Sequence, residues 1–200
     1  MGRNAFHHLC YMLEQSGSIK AIKNMSVAEQ VAMFLNVLSY RKKNCIVNHD
    51  FIKSGRSVSK HFHSVLIVVC KMHTVFLAKT TLITDDCPDP CWKWLKGCLS
   101  ALDGTFIDVQ VPKHEKGHYH TCKGQVVVNV LIVSNSNIQF IYILSGWEGN
   151  AADNCVLQDA IHRSRGLHVP VGNYYLCDNG YINAEVFLTP YKGVWYHLRE

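Results

Sequence analysis

The 200-residue sequence has no apolar stretch long enough to cross a membrane. Its longest uninterrupted apolar run, residues 65–70, is far short of the roughly 18 residues that indicate a membrane-spanning helix. The N-terminus also lacks the basic-then-apolar layout of a secretory signal, since Arg3 is followed by mixed polar residues. These absences predict that the chain has no membrane partner.

A regular cysteine framework is absent as well. The nine cysteines are an odd number at irregular spacings, so they do not form a complete set of disulfides within the chain. This usage favours reduced thiols, as in nuclear or cytosolic proteins, over the disulfide-stapled domains of secreted proteins.

Acidic residues are scarce in the first part of the chain. Residues 1–80 carry 11 Lys and Arg residues but only 3 Asp and Glu residues, a net charge of +8, whereas residues 81–200 carry 9 and 12, a net charge of −3. The total charge of +5 is therefore the sum of a basic N-terminal segment and an acidic C-terminal segment. A basic segment suits a polyanion such as DNA, and an acidic segment suits cations.

Helical periodicity dominates residues 1–80. Ser26 and Glu29 have the spacing of a capping box at a helix start, and apolar residues recur behind them at helical intervals. A second helix is expected after Ser54-Gly55. A helix, a basic turn and a helix with a basic start are compatible with a helix-turn-helix DNA reader. The side chains predicted to contact DNA are Arg41, Lys42, Lys43, Lys53, Arg56 and Lys60. A small helical bundle with solvated lysines remains an open alternative.

The composition changes after residue 80. Residues 85–90 are rich in turn formers and include Pro88 and Pro90, so they cannot continue a helix. We therefore predict a linker at 81–97, between a helical, basic, DNA-binding region at 1–80 and a second domain at 98–200.

Alternating and continuous apolar patterns predict strands in the second domain. The expected strands cover 99–111, 125–134, 139–144 and 174–178, and a helix is expected at 151–163. The predicted class is α+β or α/β, with a helical front followed by three strands, a helix and a strand.

Three aspartates occupy positions where a carboxylate is unusual. Asp103 shares an alternating face with apolar residues, and Asp153 lies on the core-facing stripe of the predicted helix, whereas Asp159 should face solvent. Asp178 ends a strand beside a glycine-containing turn. Buried carboxylates are normally paired or bound to a metal, and oxygen ligands suit Mg²⁺ or Mn²⁺. Two such ions can promote phosphodiester cleavage, although each aspartate alone fits a capping or salt-bridged role equally well.

The motifs around these aspartates resemble a known family. They are ALDGT at 101–105, GWEGNAAD at 146–153 and YYLCDNGY at 174–181, followed by FLTPYKGVWYHL at 187–198. Together they resemble the Harbinger (PIF) superfamily of DDE-type transposases and the nucleases derived from them, in their plant form. The N-terminal stretch around Glu29-Gln30 and Ser54-Gly55 also looks like the helical region that precedes the nuclease domain in these proteins.

The resemblance implies an RNase H-like fold in which Asp103, Asp153 and Asp178 match the first three metal-binding carboxylates. It further implies Mg²⁺- or Mn²⁺-dependent cleavage or strand transfer of DNA, a nuclear location and a Myb-like DNA-binding protein as partner. The family's last carboxylate, a glutamate on a later helix, has no match, because Glu200 follows the YHL segment too closely. We therefore expect impaired catalysis and a partly uncovered sheet in this 200-residue chain.

Three other functions remain open on the residues alone. A zinc module would draw on Cys87, Cys91, Cys98, His114, His118, His120 and Cys122, although their spacings do not form two regular ligand pairs. A Cys-His nucleophile has no recognisable context. A non-catalytic DNA-binding protein would use only the basic region at 1–80. In an enzyme, three further side chains could line the path of the DNA, namely Lys113, Lys116 and Lys123. These lysines are also compatible with a solvated loop.

Overall fold

The computed structural model describes residues 1–40, 42–121 and 123–191 and divides the chain into two compact units. The first unit is Met1–Phe76 and the second is Leu77–Glu200. The division therefore lies close to the predicted end of the helical region at residue 80. Part of the predicted linker is bonded to the second unit, since the Ile83 amide donates to the Cys98 carbonyl at 3.1 Å.

The first unit is helical, as predicted. Its helices are α1 (Arg3–Gln15), α2 (Val27–Tyr40), α3 (Asn44–Phe51), α4 (Gly55–Lys71) and α5 (His73–Phe76). Two predicted helix starts are confirmed, because the Ser26 hydroxyl accepts from the Glu29 amide at 3.1 Å and the Ser54 hydroxyl accepts from the Ser57 amide at 3.2 Å. None of the helices in the described residues has both the length and the apolarity that a bilayer crossing requires.

Three helices of the first unit, α1, α3 and α5, were not predicted individually. Helix α3 occupies Asn44–Phe51, directly after the predicted basic connection and before the second predicted helix. It buries a single side chain, Val47, against Met33 and Val58. One buried position in eight residues produces no periodic pattern, so this helix could not be predicted from periodicity.

The second unit contains a mixed five-stranded sheet. Its elements are β1 (Cys98–Asp108), α6 (Lys116–Tyr119), β2 (Val127–Ser134), β3 (Phe140–Glu148), α7 (Asp153–His162), β4 (Tyr174–Cys177) and β5 (Phe187–Leu188). The strand order is β3-β2-β1-β4-β5, with antiparallel pairing among the first three strands and parallel pairing of β1 with β4 and of β4 with β5. The predicted mixed class, with three strands, a helix and a strand, is confirmed, and β5 is an additional short strand.

The core of the second unit lies between the sheet and α7. Val156, Leu157 and Ala160 of α7 are buried against a cluster that includes Leu102 and Leu131. Burial of these apolar side chains is the main force that fixes α7 on the sheet.

The prediction that Asp103 lies on the buried face of its strand is wrong. Leu102 is 2% exposed, whereas Asp103 and Thr105 are exposed and Ile107 is 50% exposed. The predicted alternation of side chains along β1 is correct, but α7 packs on the face that carries Leu102. An apolar residue such as Ile107 does not by itself show which face is covered.

Asp159, which the sequence predicts to face solvent, is partly exposed and also connects α7 to β3. Its Oδ2 accepts from the Trp147 indole N–H at 2.8 Å and from Arg163 Nη2 at 2.7 Å. The Arg163 guanidinium, and after it the Trp147 indole, holds the pKa of Asp159 below its usual range.

Replacing Asp159 by Asn should therefore destabilise the second unit in a pH-dependent way. Because the pKa is lowered on folding, the stabilisation is present above the unfolded value of about 3.9 and is lost as pH falls through the folded value. We expect the melting temperature of Asp159→Asn to lie below that of the wild type at pH 7, and the difference to shrink as pH falls below the unfolded value.

Tryptophan fluorescence is the appropriate readout, because all four tryptophans follow residue 90 and therefore belong to the second unit. Asp86→Asn, at an exposed position in a turn, is the matched control and should follow the wild type across the range. A melting-temperature difference that stayed constant down to pH 3 would contradict the assignment.

Candidate active site

The register of two parallel strands brings Asp103 and Asp178 together. Leu102 of β1 is paired with Cys177 of β4. Asp103 and Asp178 are therefore the next residues along two neighbouring, parallel strands. Strands in a sheet are about 4.8 Å apart, which places these two residues side by side. Both are exposed.

Asp103 lies at a cleft of ≈ 200 Å³ with Leu102, Thr105 and Ile132 among its lining residues. Its Oδ1 accepts from the backbone amide of Gly104 at 2.7 Å. Partial burial raises the pKa of the Asp103 carboxyl group, and the charges of Asp178 and Asp153 raise it further. The charges of Asp178 and Asp153 therefore disfavour the charged form of Asp103, and a bound cation would offset them.

Asp153, the first residue of α7, approaches β1 at Gly104. A Cβ on Gly104 would lie 2.8 Å from Asp153 Oδ1, so the carboxylate fills space that any side chain at residue 104 would need. Asn129, which is 1% exposed, donates from Nδ2 to the same Oδ1 at 2.9 Å and to the Ala151 carbonyl at 3.1 Å. The Asn129 hydrogen bonds and the space left by Gly104 thus fix where α7 begins and where the Asp153 carboxylate points.

The turn after β4 brings the second oxygen of Asp153 towards Asp178. A Cβ on Gly180 would lie 3.7 Å from Asp153 Oδ2 and 4.0 Å from Asp178 Oδ2. Both oxygens therefore approach the same point of the backbone. The structure places all three predicted aspartates around the end of β4 and the middle of β1.

The aspartates are neighbours but do not form a closed set of ligands. Among the described residues, no group of three or more His, Cys, Asp or Glu side chains is arranged to hold a metal ion. Binding one ion would require the carboxylates to rotate towards each other, beginning with Asp103, which now accepts from Gly104. The donor chemistry fits Mg²⁺ or Mn²⁺, because both prefer carboxylate oxygens and because like charges already gather here.

The loop that connects β1 to β2 is cationic. The β1–β2 connection carries three exposed lysines that were predicted to contact DNA, Lys113, Lys116 and Lys123. It is held against the end of β3 by a 3.2 Å pair between His118 and Glu148. It also lies close to Gly149, where an added Cβ would be 2.6 Å from the Tyr119 carbonyl oxygen. Since Gly149 precedes α7 by four residues, the connection contacts the segment that leads into α7.

The basic residues of the first unit fall into two groups. Lys42 and Lys53 are engaged in ion pairs, with Asp50 at 2.7 Å and with Glu29 at 3.0 Å. Other predicted DNA contacts are exposed, namely Lys43, Arg56 and Lys60. Arg41 lies outside the described residues. Arg56 and Lys60 are one turn apart on α4, so they point to the same side of that helix.

The described cysteines do not form the site that a zinc module would require. No zinc-type group of three or more Cys or His ligands is found within 1–40, 42–121 and 123–191, and Cys122 lies outside these ranges. Cys98 is buried, and this burial raises the pKa of its thiol, which keeps it protonated and weakly nucleophilic.

Sequence reasoning did not identify two polar residues near the aspartates. Asn129 is a polar residue inside a nearly continuous apolar strand, and Tyr181 is the last residue of the YYLCDNGY motif. The interruption of the apolar run at Asn129 was the available signal, since a buried amide requires partners. Nothing in the sequence indicated that Tyr181 is buried.

Comparison with known families agrees with the geometry. Residues 1–71 match a domain of unknown function, DUF8040. Residues 102–199 match the family described as DDE superfamily endonuclease. The second unit is similar to a DDE endonuclease. The match includes all three aspartates and supports a DDE transposase-like nuclease. The N-terminal helices and the mixed five-stranded sheet fit a partial RNase H-like DDE domain.

No curated protein and no solved structure matches the chain. The Harbinger and plant-type resemblance therefore stays a prediction, as do the ligand roles of the individual aspartates.

Proposed function

We propose that this chain is a metal-dependent DNA nuclease of the plant-type Harbinger transposase superfamily. Asp103, Asp153 and Asp178 would hold Mg²⁺ or Mn²⁺ in the DDE-like unit. The observation that supports this most strongly is the parallel register of β1 and β4, which sets Asp103 beside Asp178. A nuclear location and a Myb-like partner are part of the same proposal and rest on the resemblance.

In this proposal the aspartates hold the metal ion and the lysines bind the DNA. The bound ion supplies a Lewis acid and an activated water for attack on a phosphodiester. The aspartates orient that ion, and the exposed lysines of the β1–β2 connection neutralise the DNA backbone beside it.

A plasmid-nicking assay tests the proposal. Supercoiled DNA should be nicked by the wild type in Mg²⁺ or Mn²⁺ and not in EDTA, and Asp103→Ala should lose this activity because a ligand is removed. Asp86→Ala, a change at an exposed turn position, should nick like the wild type. Equal metal-dependent nicking by Asp103→Ala and the wild type would reject the assignment.

A non-catalytic DNA-binding protein is the second candidate, supported by the exposed Lys43, Arg56 and Lys60 of the first unit. Binding through such residues should weaken steeply with salt and should not require a divalent ion. If neither the wild type nor Asp103→Ala nicks DNA while both bind it with the same salt dependence, this second function is the correct one.

A further inference from the structure

The Tyr181 hydroxyl is a buried polar group without a partner. Tyr181 is 1% exposed, and none of the described residues forms a hydrogen bond with its hydroxyl. A buried donor that lacks an acceptor is unfavourable, and most native structures avoid it. Its presence beside the aspartates therefore calls for a functional explanation.

The hydroxyl and the Asp153 carboxylate converge on Gly104. A Cβ at residue 104 would lie 3.3 Å from the Tyr181 hydroxyl and 2.8 Å from Asp153 Oδ1. Only the missing side chain of Gly104 leaves room for both groups. Both groups therefore border the same space beside Gly104.

The same oxygen already has one donor. Asn129 Nδ2 reaches Asp153 Oδ1 at 2.9 Å, while Asp153 Oδ2 lies on the other side, towards Gly180 and Asp178. The two oxygens of Asp153 therefore have different surroundings. Oδ1 faces neutral buried donors, and Oδ2 faces the neighbouring carboxylate.

We propose that Tyr181 is a positioning residue for Asp153, donating with Asn129 to Oδ1 so that Oδ2 is held towards Asp178 and a shared divalent cation. The inference rests on the proposed function, since it assigns a supporting role within the same metal site. Carboxylates that bind metals are commonly held by such hydrogen bonds, and loss of one typically weakens metal affinity about 10- to 100-fold.

The protonation state of Tyr181 agrees with a donor role. Burial raises the pKa of the Tyr181 hydroxyl, and the charges of Asp153 and Asp103 raise it further. The phenol is therefore protonated at neutral pH, and its O–H can donate a hydrogen bond to a carboxylate.

Mn²⁺ binding to Tyr181→Phe tests the inference, because this change removes the hydroxyl and keeps the ring. The full-length chain would be titrated with Mn²⁺ and the free ion followed by electron paramagnetic resonance. We expect affinity about 10-fold weaker than wild type. Tyr175→Phe is the matched control, because Tyr175 is 2% exposed in the same core while its hydroxyl is 3.4 Å from the His168 carbonyl oxygen. Its Mn²⁺ affinity should equal that of the wild type.

Melting temperature in EDTA supplies a second readout that separates positioning from packing. Tyr181→Phe should melt at or above the wild-type temperature without metal, because an unpaired buried hydroxyl is lost, yet it should gain less stability from Mn²⁺. Unchanged Mn²⁺ affinity in Tyr181→Phe, with binding by the wild type, overturns this inference alone. Equal weakening in Tyr175→Phe also overturns it, since the effect would then be general loosening. Absence of Mn²⁺ binding by the wild type overturns the proposed function and this inference with it.

Discussion

Asp178→Asn should reduce Mn²⁺-dependent nicking by about 100-fold or more, the scale of losing one electrostatic group from an active site. Asparagine preserves the shape of the side chain at the end of β4 and removes the charge that faces Asp103. The lost carboxylate would leave a shared ion with fewer anionic ligands. Nicking of supercoiled plasmid, measured at saturating Mn²⁺, gives the size of the effect.

The same variant should alter the titration of Asp103. Partial burial raises the pKa of Asp103, and the charge of Asp178 is the larger of the two aspartate contributions that add to it. Removing that charge should lower the pKa of Asp103 towards the ordinary value, which carboxyl-carbon NMR in EDTA would record. Asp86→Asn, at an exposed turn position, is the control, and its nicking should equal that of the wild type. Full nicking activity in Asp178→Asn would remove Asp178 from the site.

Gly166→Ala should destabilise the second unit by about 3 kcal/mol, in the range of a forced overlap in a packed region. An added Cβ would overlap the Ala160 carbonyl oxygen and lie 2.8 Å from that of Arg163. These are backbone atoms, which cannot rotate away as a flexible side chain would. The Ala160 carbonyl also accepts from the Leu167 amide at 2.8 Å, so the end of α7 would have to shift.

Urea unfolding followed by tryptophan fluorescence measures this loss, since all four tryptophans belong to the second unit. Gly117→Ala is the matched control, because a Cβ there would meet nothing within 4 Å. Mn²⁺ affinity should fall with the stability of Gly166→Ala, because Asp153 begins the displaced helix. A stability change within about 0.5 kcal/mol would show that α7 does not end as described.

The long periodic elements of the fold could be predicted from the sequence. The expected strand at 125–134 is β2 (Val127–Ser134), and the expected helix at 151–163 is α7 (Asp153–His162). Each has a repeated pattern of apolar residues that does not depend on the rest of the molecule. Helix α3 and strand β5 were missed because they contribute too few buried residues to make a pattern. Helix α1 was not predicted individually, although Phe6, Leu9 and Leu13 recur on one face of it.

The site could be predicted only in part. The aspartates were found through their motifs, but the side-by-side placement of Asp103 and Asp178 depends on the parallel register of β1 and β4, which local sequence does not encode. The exposed face of Asp103 was misassigned because alternation shows that two faces differ and not which one is covered. The burial of Tyr181 beside Gly104 arises from tertiary packing alone.

Anomalous diffraction from crystals grown with Mn²⁺ is the most direct test of the central claim that these aspartates share a divalent cation. We predict a manganese peak whose ligands include oxygens of both Asp103 and Asp178, with Asp153 turned towards it from α7. A peak bound elsewhere, or well-ordered carboxylates in saturating Mn²⁺ with no peak between them, would contradict it.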